Sequence, residues 1–306
     1  DDLVAIRQGV MSLKSFDDDP ATKVIVDDAV AVAEVEGAVE LGQVEGPFKR
    51  ARRVDEITSE VVENRGGEST LGNLVAEIQR WKTGADIGVM NPGGLRDDLL
   101  GTDDAPGPVT YREAANVQPF ANTLMTTELT GAQVKTLLEQ QWQRDPDGNV
   151  PSRPFLRLGT SAGFTFTADP ARPEGDRITG MWLDGDELDP AAAYTVAANS
   201  FVMSGGDNFR VFNDGADPRD SGLLDRDAWI AYITANSPLS PDFARRAVQV
   251  AATGQEVEQG ATLSLDVAGL VQRQRGAVLR EAFAIGVGRV VLLALRRVEQ
   301  NDLGKL

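Results

Sequence analysis

The run Ile87-Gly88-Val89-Met90 is apolar throughout, and Asn91-Pro92-Gly93-Gly94-Leu95-Arg96 follows it at once. Four apolar residues stopped by a proline and two glycines read as a buried strand. A buried strand must be covered, so the rest of the chain is read as what covers it and serves the loop at its end. Pro92 halts the strand, while Gly93 and Gly94 free the backbone for positive φ and for close approach to a ligand. Arg96 then sets a fixed charge beside the opened backbone. That combination suits a phosphate, a carboxylate or a hydroxyl-rich small molecule. It equally suits a tight strand-to-helix turn that carries a surface arginine.

Two missing residue types narrow the chemistry. Without histidine the chain can build neither Ser-His-Asp nor Cys-His catalysis, nor a metal site that needs imidazole. Without cysteine it has no disulfide, no thiolate nucleophile and no zinc-thiolate site, which fits a secreted or cell-surface bacterial protein that does not rely on disulfides. Carboxylate, lysine or tyrosine chemistry is what remains. The net charge of −17 argues against nucleic acid polymers and anionic membranes as partners, whereas a nucleotide monomer needs only a local cluster of arginines. Asp1-Asp2-Leu3 shows neither a signal peptide nor a membrane span and is read as the start of a mature fragment. The apolar stretch 282–295 is too short to span a bilayer and carries Arg289.

Local signals predict the element order. Residues 3–13 alternate as an edge strand. Asp19 and Pro20 open a helix that runs to about Glu36, with Gly37 as its stop, and a strand covers 39–44. A helix over about 69–82 places Leu71, Leu74, Val75, Ile78 and Trp81 on one face and leads into the Ile87–Met90 strand. The two arginine-bearing glycine turns, Arg65-Gly66-Gly67 and Gly93–Arg96, are therefore expected near each other. Thr110 with Glu113 starts a short helix ending before Gln118-Pro119-Phe120, a strand covers 122–129, and Thr130 caps a helix with Val134, Leu137, Leu138 and Trp142. Asp145-Pro146-Asp147-Gly148-Asn149 reads as a turn, since it lacks the downstream glutamate of a calcium loop. Strands follow at 164–167 and 178–183, the latter paired with Glu187-Leu188 through Asp184-Gly185-Asp186, and another covers 194–198. A helix over 225–235 closes this part. From about Gln249 the character changes, and residues 253–267 read as two strands of a small, incomplete β-module. Residues 271–306 carry seven Lys/Arg against three Asp/Glu, a basic tail at odds with the acidic chain, read as an amphipathic helix or a segment in a shifted frame. Irregular alternation of helices and strands, with a hairpin among them, predicts a mixed α/β domain rather than a doubly wound parallel one.

Four motifs in order carry a resemblance: Asn64-Arg65-Gly66-Gly67-Glu68-Ser69-Thr70-Leu71-Gly72-Asn73-Leu74; Asn91-Pro92-Gly93-Gly94-Leu95-Arg96; Gln118-Pro119-Phe120; and Asn199-Ser200-Phe201 with Ser204-Gly205-Gly206-Asp207-Asn208-Phe209. Over about residues 60–235 the chain resembles the C-terminal, substrate-binding domain of the secreted metallophosphatase/5′-nucleotidase family. The resemblance implies a layered α/β/β/α domain over residues 63–247, preceded by a connector from a missing upstream domain (1–62) and followed by the incomplete β-module and tail (248–306). It implies that Phe120 and Phe201 sandwich a base, that Asn91 meets the base, and that Arg65 and Arg96 approach the phosphate or ribose. Asp207 would accept from ribose hydroxyls, and Gly93, Gly94, Gly205 and Gly206 would let the backbone approach. Taken singly, both phenylalanines suit core positions and Asp207 suits a turn.

The family's metallophosphoesterase domain, which holds two divalent metals, is absent from this chain. No catalytic or metal residue is assigned to it, and no cofactor. The expected partners are a nucleotide or nucleoside and a metallophosphoesterase domain from the same parent chain or a neighbouring gene product. Alone, the chain is expected to bind nucleosides or nucleotides weakly without hydrolysing them. Two alternatives stay open: the substrate domain of a related phosphoesterase acting on cyclic nucleotides or nucleic-acid ends, and a non-catalytic extracellular binding module.

Overall fold

The computed structural model describes residues 18–102, 106–252, 265–268, 281–287 and 290–296. The strand expected at 3–13 lies outside the described residues. Helix α1 (Pro20–Gly37) starts where expected: the Asp19 carboxylate accepts from the Thr22 N–H at 2.8 Å, and Pro20 takes the first helical position. Gly37 is still helical and Ala38 caps, one residue later than predicted. Along α1 Val24, Ile25, Val26, Val30, Val32 and Val35 are all exposed, and only Gly37 is buried.

Strands β1 (Glu40–Val44), β2 (Arg52–Val54) and β3 (Val61–Glu63) precede helix α2 (Thr70–Thr83). Then come β4 (Ile87–Met90), β5 (Gly107–Thr110), helix α3 (Tyr111–Val117), β6 (Thr123–Thr130) and helix α4 (Gly131–Glu139). β7 (Gly159–Thr160), β8 (Phe164–Ala168), β9 (Ile178–Leu183), β10 (Asp186–Glu187) and β11 (Ala193–Asn199) lead to the one-turn helix α5 (Ser200–Met203). β12 (Ala216–Leu224), helix α6 (Asp225–Asn236), β13 (Ala247–Ala252) and β14 (Leu265–Ala268) follow. A separate unit, Val271–Leu306, contains β15 (Glu281–Val287) and β16 (Val290–Arg296) as an antiparallel hairpin. The described part of the tail is thus strand, not the amphipathic helix its arginines had indicated.

The first sheet has the order β12-β6-β11-β4-β7 and the second β10-β9-β8-β13-β14. Each mixes one parallel pair, β11 with β4 and β8 with β13, into otherwise antiparallel neighbours. β13 ends just before the 253–267 stretch read as a β-module and pairs with β8 and with β14, which begins inside that stretch, so the two extend the second sheet; residues 253–264 lie outside the described residues. The sequence missed β12, whose exposed residues show no alternation to read. β1 pairs with β5, and Val44 and Phe48 of the stretch read as a connector are buried in the core.

Side-chain alternation sorts two cores onto the two faces of the first sheet. Ile87 and Val89 join Leu129, Val196 and Ala198 with Phe164, Phe166 and Ile178 of the second sheet and Leu137 of α4. Met90 and Leu124 point the other way, to Leu71, Val75 and Ile78 of α2, Val117 of α3 and Trp229 of α6. Gly88 lets α2 settle on β4, because a Cβ there would lie 2.1 Å from the Ala76 carbonyl oxygen. One expectation about this face fails: Trp81 is 40 % exposed, edge-on to Tyr232 at 5.2 Å, while Gln79 is buried in the last turns of α2 with its amide on the Met90 sulfur. Hydrophobic periodicity alone could not see how little of the indole its neighbours Tyr232 and Lys82 cover.

Glu68 and Asn73, both inside the first motif, knit α2 to the second sheet. The buried Glu68 carboxylate accepts from Asn73 Nδ2 at 2.8 Å and from the Arg246 and Ala247 N–H groups at 2.9 and 3.3 Å, just where β13 begins. Arg246 in turn donates to the carbonyls of Asn73 and Thr160. These motif residues are structural.

Candidate functional site

β4 and β11 are parallel neighbours, with Val196 opposite Ile87 and Ala197 opposite Gly88, so both chains leave the sheet on the same edge. Loops at the carboxyl ends of adjacent parallel strands are where α/β sheets hold ligands. Here the residues that emerge are Asn91 and Asn199, 2 % and 1 % exposed. Asn199 Nδ2 donates to Asn91 Oδ1 at 3.1 Å, and Asn91 Nδ2 donates to Asp207 Oδ2 at 2.7 Å.

Asp207 sits in an unusual stretch. Gly205 (φ 85°) turns the chain, and Asp207 (φ 51°) and Asn208 (φ 61°) are both left-handed without being glycine, a conformation costing about 1–2 kcal/mol per residue. Side-chain bonds hold it: Asp207 accepts from Asn91, while Asn208 donates to Gln143 Oε1 at 2.9 Å and accepts from Arg210 at 2.7 Å. Phe201, on α5, stands over Gly206, where a Cβ would fall 2.6 Å from the ring.

The Asn91–Arg96 loop makes one 3₁₀ turn over Pro92–Gly94, and the Arg96 N–H donates to the Val117 carbonyl at 3.0 Å, which ties the loop to the end of α3 and so to Phe120. Arg96 Nη1 donates to the Gly93 carbonyl at 3.2 Å, and its guanidinium lies 5.4 Å from the Phe120 ring centre. From the other motif, Asn64 folds the Arg65 turn by accepting from the Gly66 N–H at 3.1 Å. Arg65 pairs with Glu63 at 3.2 Å.

Gly93 marks the meeting point of these parts. A Cβ there would lie 3.2 Å from the Asp207 carboxylate, 3.4 Å from Arg65 Nη1 and 3.5 Å from Asn91 Nδ2. A Cβ on Gly94 would meet Met90 at 2.5 Å. The structure therefore brings Arg65, Asn91, Gly93 and Asp207 together, with Gly94 and Arg96 on the same loop and Gly205, Gly206 and Phe201 on the facing one. Phe120 and Phe201 are 55 % and 47 % exposed, neither being the core residue its surroundings in sequence suggested. They make no ring contact with each other, and the Arg96 guanidinium already lies over the Phe120 ring.

A cleft beside the loop is lined by Arg50, Glu63, Arg65, Ser69, Pro92 and Arg157 among others, and neither Phe120 nor Phe201 reaches it. Arg50 braces the loop, donating to the Arg96 carbonyl at 2.8 Å and to Asp98 at 2.9 Å, and Arg52 binds the other Asp98 oxygen. Burial raises the Asp98 pKa, but the bonds from Arg50 and Arg52 outweigh it and hold the carboxyl below its usual range. The Arg157 guanidinium lies 5.5 and 5.4 Å from the Phe155 and Phe166 ring centres; burial lowers its pKa, and its Nε has no partner.

Among the described residues no group of three or more His, Cys, Asp or Glu is placed to hold a metal ion. The Asp145–Asn149 segment is a turn, with Asp145 Oδ1 accepting from the N–H groups of Asp147 and Asn149. Sequence reasoning gave no role to Asn199, although its motif contains it, or to Glu63. The first was legible as an asparagine at the mouth of a buried strand opening a helix; the second, a charge two residues from Arg65, carried no signal.

A family sequence model described as 5′-nucleotidase, C-terminal domain, matches residues 17–214. The chain belongs to that family. It is 30% identical over 172 residues to protein UshA of Salmonella pullorum, covering 56% of this chain and 28% of UshA. It is 34% identical over 170 residues to the trifunctional nucleotide phosphoesterase protein YfkN of Bacillus subtilis, covering 53% of this chain and 11% of YfkN. In structure it is similar to the 5′-nucleotidase precursor of Thermus thermophilus, with a TM-score of 0.56 and 25% identity over 74% of this chain and 42% of the other. The matched part covers less than half the length of each of these relatives.

Proposed function

We propose that this chain is the substrate-holding part of a phosphoesterase of nucleotide catabolism, gripping a nucleoside or nucleotide at the loops after β4 and β11 without cleaving it. The observation that carries this reading is the convergence of Arg65, Asn91, Gly93 and Asp207 beside two half-exposed phenylalanines, at the carboxyl ends of adjacent parallel strands in a domain of the 5′-nucleotidase family. Phe120 and Phe201 clasp the base, Asn91 meets a polar edge of the nucleoside, and the Asp207 oxygen left open by Asn91 accepts from ribose hydroxyls. Arg65 and Arg96 face the phosphate side, where a guanidinium offers two parallel donors. Gly93, Gly94, Gly205 and Gly206 keep the floor of the site low.

Hydrolysis needs a water made nucleophilic and a neutralised phosphate, tasks that two divalent metals perform in metallophosphoesterases. No residue set described in this chain fits such a pair. The metals belong to a catalytic domain from the parent chain or a neighbouring gene product, and the uncovered valines of α1 offer it an apolar surface. The cell surface or exterior is the proposed setting, resting on the lack of cysteine; fractionation of producing cells tests it.

YfkN is a trifunctional nucleotide phosphoesterase, so a likeness to it does not single out 5′-nucleotides; the second reading is a substrate domain for cyclic nucleotides or nucleic-acid ends. Calorimetric titration with adenosine, AMP, 2′,3′-cyclic AMP and ribose 5-phosphate separates the two, AMP and adenosine binding best on the first. Absence of heat with every nucleoside would leave the non-catalytic extracellular module in their place. Metal-dependent phosphate release from AMP by the purified chain would overturn the division of labour.

A further inference from the structure

Amide orientations are ordinarily assigned rather than observed, but in this site chemistry fixes them from both ends. At one end the Val202 N–H, which can only donate, reaches Asn199 Oδ1 at 3.0 Å. At the other end the Asp207 carboxylate, which can only accept, receives Asn91 Nδ2 at 2.7 Å. Between them Asn199 Nδ2 donates to Asn91 Oδ1 at 3.1 Å. The chain of bonds can run in one direction only: Val202 N–H to Asn199, Asn199 to Asn91, Asn91 to Asp207. Turning either amide over would set two donors or two acceptors face to face inside a buried site, where an unmet polar group costs about 1–3 kcal/mol.

We infer that Asn199 is the positioning residue that sets the hydrogen-bond polarity of the site. By occupying Asn91 Oδ1 it turns the Asn91 amide so that one N–H restrains Asp207 and the second is left for a ligand. Asp207 keeps Oδ1 as an acceptor. The pair offers a donor beside an acceptor, which selects a ligand with a lone pair next to hydroxyl groups, as in a ribonucleoside; the choice of ligand rests on the proposed function. Through its own Oδ1, the same Asn199 caps α5 and so places Phe201. One buried side chain thus couples the ring face to the polar edge.

Asn199→Asp separates the two duties. An aspartate caps a helix as well as an asparagine does, so the Val202 bond and α5 survive. A carboxylate cannot donate, so Asn91 must turn its N–H groups to position 199 and its oxygen to Asp207. At pH 8 the variant should bind adenosine at least 10-fold more weakly than wild type. Burial and the nearby Asp207 carboxylate both push the introduced carboxyl above the ordinary aspartate range, so at pH 5 its protonated form can donate again and affinity should recover, while wild type, which lacks that carboxyl, changes little. The double variant N199D/D207N rebuilds the relay in reverse: it should restore the Asn91 side-chain amide resonances to a single ordered pair in a ¹⁵N–¹H spectrum without restoring adenosine binding. Wild-type affinity in N199D at pH 8, or an equal loss at both pH values, would overturn the inference. If wild type itself binds no adenosine, the nucleoside reading fails and the inference is still decided without ligand: the Asn91 amide resonances must shift in N199D at pH 8 and return at pH 5, and their indifference to both would refute it.

Discussion

Truncating the two exposed rings, Phe120→Ala and Phe201→Ala, tests the base clamp with little damage to the fold. Stacking an aromatic side chain on a base is worth about 1–3 kcal/mol, or roughly 5- to 150-fold in Kd for each ring. Fully burying a phenylalanine stabilises a protein by about 1.5–3 kcal/mol, and rings 55 % and 47 % exposed have gained only about half of that. The cost to folding is therefore about 1 kcal/mol, a few degrees in Tm for a chain of this size. Each ring has a secondary duty that divides the effects. Phe120 carries the Arg96 guanidinium, so its loss should weaken AMP more than adenosine. Phe201 stands over Gly206, so its loss should loosen the Asp207 turn and weaken both equally. Isothermal titration of adenosine and AMP, with thermal unfolding alongside, measures all of this. Phe201→Trp should keep the clamp. If either alanine variant binds adenosine within twofold of wild type while unfolding normally, that ring does not hold the base.

Three further outcomes follow from the packing and the charges. Gly88→Ala puts a Cβ 2.1 Å from the Ala76 carbonyl oxygen, so α2 must lift from β4; denaturant unfolding should show a loss of about 1–3 kcal/mol, and no loss would contradict the close helix–strand approach. The Asp225 carboxyl is raised by burial despite bonds from Asn122 and Arg226, so folding favours its protonated form and the stability it lends is lost as pH rises through the folded pKa. Asp225→Asn should therefore raise Tm at pH 7 and change it little at pH 4; a gain independent of pH would refute the cause. Asp98 is the opposite case: its depressed pKa stabilises the fold above about pH 4 and loses that contribution as pH falls through the folded value, so Asp98→Asn should lower Tm at pH 7 and converge on wild type in acid.

Where a side chain makes its own local structure, the sequence was readable. Asp19-Pro20, the Thr110/Glu113 capping box and the Asp184-Gly185 turn, both residues at positive φ, all act within four residues and appear as expected. The Thr130 cap behaves the same way, with Gln133 completing its box. The nearness of Arg65 to Gly93 was also foreseeable, since α2 and β4 join their turns directly. Features that depend on distant partners were not. β12 is a strand because β6 offers it an edge, Trp81 stays part-exposed with Tyr232 of α6 against it, and β13 finds β8 from far along the chain. In the site the motifs named the residues, but the direction of the hydrogen bonds through Asn199 exists only once β4 and β11 lie side by side.

A crystal structure of this chain soaked with adenosine tests the central claim most directly. The account predicts the base between Phe120 and Phe201, a nucleoside acceptor on the open N–H of Asn91, and ribose hydroxyls on Asp207 Oδ1 with Oδ2 still held by Asn91. Adenosine seated in the Arg50–Arg157 cleft, or bound with neither ring against it, would contradict the account.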